Sequence, residues 1–167
     1  MDSLKRLVRA AVFAALICIT TAYIFHIPIG GGGYIHPGDA MIYLAACLLP
    51  LPYAMGAAAL GGALADLLTA PVWAPWTLVI KALLPLAFAR QSYRLLGPRN
   101  LTACLLGAVI NLVGYYFANW AILGLRPALV AYLPGELVQA GGSILLFVVL
   151  AVAFDKTGLK RRLFDPI

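Results

Sequence analysis

Charge is what this sequence has least of: acidic and basic residues make up 11% of its 167 positions, against 63% hydrophobic, and the mean hydropathy is +0.96. Ordinary soluble domains hold about 45–50% apolar residues, so a water-soluble globule is excluded and an integral membrane protein is expected. No polar stretch is long enough to fold separately, which predicts a single membrane domain over 1–167. Cysteine is also scarce, at three residues. Cys18, Cys47 and Cys104 stand singly in apolar segments, without the paired spacing of metal or redox sites, and read as small core residues. His36 and Asp39 have no third ligand nearby, so no metal and no cofactor are expected. No phosphate-loop motif is present, which excludes ATP hydrolysis by the chain itself. No serine or cysteine is placed beside a base as an activated nucleophile, which argues against an enzyme.

What the chain does have is apolar runs. A helix needs about 20 such residues to cross the hydrocarbon core. The predicted helices lie near 5–26, 39–50, 53–70, 76–95, 101–123 and 131–155: an all-α bundle of six transmembrane helices. The second is short, bounded by Gly38-Asp39 and by Pro50 and Pro52, and is expected to start below the outer surface. The first could pass for a signal peptide, but no small-residue cleavage site and polar mature domain follow it, so it reads as a permanent helix.

The net charge of +6 follows membrane topology, not nucleic acid. Lys5, Arg6, Arg9, Arg90, Arg94, Arg99, Lys156, Lys160, Arg161 and Arg162 fall at the two termini or after the fourth helix, whereas Lys81 and Arg126 fall toward the other face. The positive-inside rule then predicts cytoplasmic N- and C-termini.

In that orientation Asp39, Asp66, Lys81 and Glu136 all belong to the outer half. Charges there cost a few kcal/mol, so each needs a partner, a cavity or a ligand. Asn111, Tyr115 and Asn119 recur at i, i+4 and i+8, with Tyr116 and Trp120 beside them; Glu136, Gln139 and Ser143 follow i, i+3 and i+7. These stripes either join helices through their amides or line a pocket, and with Glu136 among them the pocket is favoured. Asp66 and Lys81 are read as a buried ion pair bracing the turn between two helices. Trp73 and Trp76 in that turn can anchor at the interface or stack on a flat ligand. Gly30 to Gly33 suit a mobile gate. Asp39 can cap its helix or face the pocket. Ala10, Ala11, Ala14 and Ala15 form two overlapping Ala-x-x-x-Ala pairs, suited to close helix packing inside the protein or with a partner.

The alanine-rich first helix, the outer loop ending in "HPGDAMIYLAACLLP" and the stretch "GALADLLTAPVWAPWTLVIKAL" together resemble the substrate-binding S components of energy-coupling factor (ECF) transporters, closest to the riboflavin-transporter-like group. The resemblance implies a bacterial or archaeal cytoplasmic membrane protein with a small-molecule substrate bound in an outward-facing pocket built by the first loop and the last three helices. It also implies partners: a transmembrane coupling subunit, on which Ala10, Ala11, Ala14 and Ala15 would dock, and two cytoplasmic ATPases.

Tyr34, His36, Asp39, Trp73, Trp76, Asn111, Tyr115, Asn119, Glu136 and Gln139 are the candidate substrate-binding residues. Their carboxylates, amides and rings suit a flat, nitrogen-rich heterocycle better than a carboxylated or phosphorylated vitamin, which would call for more cations than Lys81 and Arg126. A deazaguanine base such as queuine comes first, because Glu136 can accept paired N–H donors; riboflavin and pyridoxine-type or pyrimidine vitamins come next. The alternatives are a self-sufficient small-solute carrier and, behind it, a membrane enzyme.

Overall fold

The computed structural model describes residues 2–24, 26–28, 34–88, 94–124 and 133–164. The glycine run 30–33, Arg90 and Arg126 lie outside the described residues, as do the side chains of Tyr34 and Arg162.

Helix α1 spans Asp2–Ala22. A two-residue ribbon follows, β1 (Ile27–Pro28) and β2 (Tyr34–Ile35), antiparallel with Ile27 opposite Ile35 and Pro28 opposite Tyr34. Then come α2 (Asp39–Leu48) and α3 (Leu51–Thr69), a 3-10 turn at Pro71–Trp73, and α4 (Ala74–Leu83). The chain closes with α5 (Pro98–Leu123), α6 (Leu133–Thr157) and the short α7 (Leu159–Phe164). Prolines start several of these elements, where a missing N–H costs nothing because no carbonyl precedes it in the helix. Gly124 and Gly158, at φ +90° and +63°, end α5 and α6 in a backbone region that residues with side chains rarely adopt.

The fourth helix departs most from its predicted bounds of 76–95. Regular helix stops at Leu83, a 3-10 turn runs Leu84–Ala87, and Phe88 is extended. The cause is Pro85, which cannot donate to the carbonyl four residues back and whose ring collides with it.

By length and composition Leu51–Thr69, Pro98–Leu123 and Pro134–Thr157 can each cross a membrane, and α2 and the segment Pro71–Ala87 are shorter apolar helices. Large apolar side chains on the outside, such as Leu105, Val109, Leu145 and Val149, suit a hydrocarbon solvent.

The centre of the molecule is α2. Apart from Met41, every residue from Asp39 to Leu48 is buried, beneath α1, α3 and α6. Ten residues rise only about 15 Å, so α2 is sheathed by its neighbours along its length. Helix α1 lies closely on α3, because Gly61 puts no side chain where the Ala14 carbonyl and Ile17 approach. The four alanines of α1 consequently divide: Ala10 is buried and Ala14 half-buried toward the bundle, whereas Ala11 and Ala15 are exposed.

Candidate functional site

At the start of α2 the chain must pass close to α1. A methyl group on Gly38 would overlap the Thr21 hydroxyl and crowd His36 Nδ1, which fixes glycine there. The Gly38 N–H donates to His36 Nδ1 at 3.0 Å. That nitrogen is therefore unprotonated, and burial pushes the imidazole down to about 3.

Asp39 follows as the first residue of α2, but its carboxylate does not cap the helix: Gly38 is the N-cap and no side-chain cap bond is made. Instead Oδ1 meets Lys81 Nζ at 2.6 Å, both side chains being 1% exposed. Asp39 Oδ2 accepts from Asn111 Nδ2, and from Gln139 Nε2 at 3.4 Å. Lys81 also donates to Asn111 Oδ1 at 3.1 Å and sits 5.1 Å from the Tyr115 ring centroid. The predicted pairing of Lys81 with Asp66 is thereby corrected: its partner is Asp39. The lysine stem crosses α3 at Gly62, where a Cβ would be 2.9 Å from Lys81 Cγ, and so reaches α2.

Asp66 accepts the hydroxyl of Thr77. Thr77 Oγ1 is also 2.6 Å from Tyr115 Oη, while Asn119 donates to the Tyr115 carbonyl at 2.8 Å and accepts from Trp73 Nε1 at 3.3 Å. The first loop joins through the His36 N–H, which donates to Gln139 Oε1 at 3.4 Å. Glu136 is buried one turn before Gln139 on α6 and lies within electrostatic reach of Tyr43 and Tyr115.

Of the sequence-derived candidates, His36, Asp39, Trp73, Asn111, Tyr115, Asn119 and Gln139 are joined with Lys81 and Asp66 into polar contacts spanning α2 to α6. Trp76 stands apart at 41% exposure. Tyr34 is placed only by its backbone pairing with Pro28. Thr77 is the residue that sequence reasoning missed. Its signal was present, because Trp73, Thr77 and Lys81 recur every four residues, but a lone threonine in an apolar helix stands out little.

A polar cluster this enclosed is costly in a bundle with a lipid-suited exterior, because each of its polar groups needs a partner there. Residues 1–156 match the family described as the ECF-type riboflavin transporter, S component. The chain belongs to this family. It is also 33% identical over 129 residues to a Pyrococcus woesei protein described as an uncharacterized protein in the gap 3' region, covering 75% of this chain and 86% of that one. As an S component it is a membrane-embedded, substrate-binding subunit of a transporter. S components bind a small substrate and work with a transmembrane coupling component and ATPases. In this S component Asp39 and Lys81 neutralise each other, while Asp66 and Glu136 add two further acids to the surrounding cluster.

Proposed function

We propose that this S component captures a flat, nitrogen-rich heterocycle from outside the cell, at the polar cluster where α2, α4, α5 and α6 meet beneath the first loop. The observation that carries the reading is the enclosure of Asp39, Lys81, Asn111 and Gln139 in one hydrogen-bonded group. Amides and acids predominate around it, and they match ring N–H and C=O groups better than they match an anionic vitamin. A deazaguanine-type base stands first and riboflavin, which the family's description names, second; pyridoxine-type and pyrimidine vitamins follow. Glu136 and Gln139 read the ring edge, and Trp73 and Tyr115 offer faces for stacking.

In this reading both termini are cytoplasmic, as ten of the twelve basic residues suggest, and six helices span the membrane. The coupling subunit packs on α1, where exposed Ala11 and Ala15 permit close approach. Two ATPases on the cytoplasmic side drive release.

Mass spectrometry of small molecules released from the detergent-purified protein, followed by thermal-shift binding of queuine, riboflavin and pyridoxine, tests the substrate. A stoichiometric heterocycle that raises the unfolding temperature is expected; absence of any shift across the panel would refute the substrate class. Reconstitution separates this reading from a self-sufficient carrier. The chain alone should bind without transporting, and uptake should require the coupling subunit and ATPases.

A further inference from the structure

The polar faces around Asp39 continue one turn deeper into the bundle. Tyr43 follows Asp39 by four residues on α2 and Ser143 follows Gln139 by four on α6, so each lies about 6 Å further along the same face at about 1.5 Å per residue. Two contacts fix how these faces meet. Gln139 Nε2 is 3.4 Å from Asp39 Oδ2, and the Tyr43 and Phe147 ring centroids are 6.0 Å apart at a steep angle. Ser143 lies between Gln139 and Phe147 on α6, which sets it against α2 between Asp39 and Tyr43. From the third side comes Gly107 of α5, one turn from Asn111. A Cβ there would stand 3.3 Å from Tyr43 Oη, so the tyrosine hydroxyl abuts the α5 backbone.

Both residues are 0% exposed, and among the described residues neither Tyr43 Oη nor Ser143 Oγ has a hydrogen-bond partner. Unpaired buried hydroxyls weaken a fold, and packing does not require these two. The Tyr43 ring stacks on Phe88 at 5.2 Å and meets Phe147 edge-on, contacts that a phenylalanine ring would make equally well. A hydroxyl kept without a partner in such a place points to a group that arrives from elsewhere.

We propose that Tyr43 and Ser143 form the floor of the substrate pocket, their hydroxyls donating together to a carbonyl oxygen or ring nitrogen on the inner edge of a flat heterocycle. The inference rests on the proposed function and adds two specificity-determining residues to it. Entry to the floor is through Gln139, whose contacts to Asp39 and to the His36 N–H, both 3.4 Å, are the longest in the upper layer and the first to yield. Hydroxyls turn freely to donate, so the floor selects acceptors on the substrate.

The test uses the full chain in detergent, with Y43F and S143A, isothermal titration against riboflavin and queuine, and thermal unfolding without ligand. The probe that the wild type binds is expected to lose roughly tenfold in affinity in each variant, while the ligand-free variants unfold at or above the wild-type temperature. Unchanged affinity overturns the floor whatever the stability does; combined with a lowered unfolding temperature it identifies a resident water on the two hydroxyls instead. A wild type that binds neither probe overturns riboflavin and queuine as substrates and the floor proposed for them. A wild type that binds while both variants bind equally well overturns the floor alone.

Discussion

Lys81 Nζ and Asp39 Oδ1 lie 2.6 Å apart, from helices whose pairing residues are 42 positions apart in sequence, with both side chains 1% exposed. Removing one member of such a pair strands the other charge. Asp39→Asn or Lys81→Met is expected to cost about 3–5 kcal/mol, and the double variant less than the sum. Chemical unfolding in detergent measures this, and strictly additive losses would show that the two charges do not depend on each other. Because Asp39→Asn alone disturbs folding, its effect on ligand affinity is best measured in the Lys81→Met background.

His36 makes the fold sensitive to acid. Burial holds its imidazole down at about 3, and the Gly38 N–H needs Nδ1 as an acceptor. The unfolded chain takes up a proton below about 6.5 while the folded one does not, so this stabilisation is full above 6.5 and is lost as pH falls toward 3. Stability should drop by up to about 1.4 kcal/mol per pH unit below 6.5 from this group. Unfolding temperatures of wild type and His36→Gln between pH 7.5 and 4.5 check it: the variant should show the shallower slope, and parallel slopes would refute it.

The two tryptophans of the turn should behave differently. Trp73 donates to Asn119 at 3.3 Å and is half-buried, whereas Trp76 is 41% exposed. Trp73→Phe is expected to lower substrate affinity by roughly fivefold through the lost hydrogen bond, and Trp76→Phe to leave it within about twofold. Titration with whichever heterocycle the wild type binds decides this. An equal loss in both would point to stacking by the pair.

The alanines of α1 divide into two tests. Ala14→Leu meets α3, where even a Cβ on Gly61 would come within 2.6 Å of the Ala14 carbonyl, and is expected to destabilise by about 1–3 kcal/mol. Ala11→Leu with Ala15→Leu should fold and bind substrate normally yet fail to co-purify with the coupling subunit. Normal assembly of that double variant would move the docking face elsewhere.

Composition alone settled the class of this protein, because at 63% apolar and 11% charged the chain has no way to be stable in water. Periodicity went further: it placed Asn111, Tyr115 and Asn119 on one face of a helix and Glu136, Gln139 and Ser143 on one face of another, since a helix fixes the angle between its own residues. The bounds of α4 were harder to read, for Pro85 sits within a run whose hydropathy continues past it. What periodicity does not contain is the rotation of one helix against the next. Sequence proximity favoured Asp66 as the partner of Lys81, but only packing decided for Asp39, because Gly62 leaves room for the lysine stem to cross α3 and reach α2. The same rotation turned the Asp39 carboxylate away from its own helix terminus and into the bundle, and brought Tyr43 and Ser143 one turn beneath it. The sequence determined which polar residues would be buried in lipid; the tertiary structure decided which of them meet, because a buried charge takes the partner that the neighbouring helices set within reach.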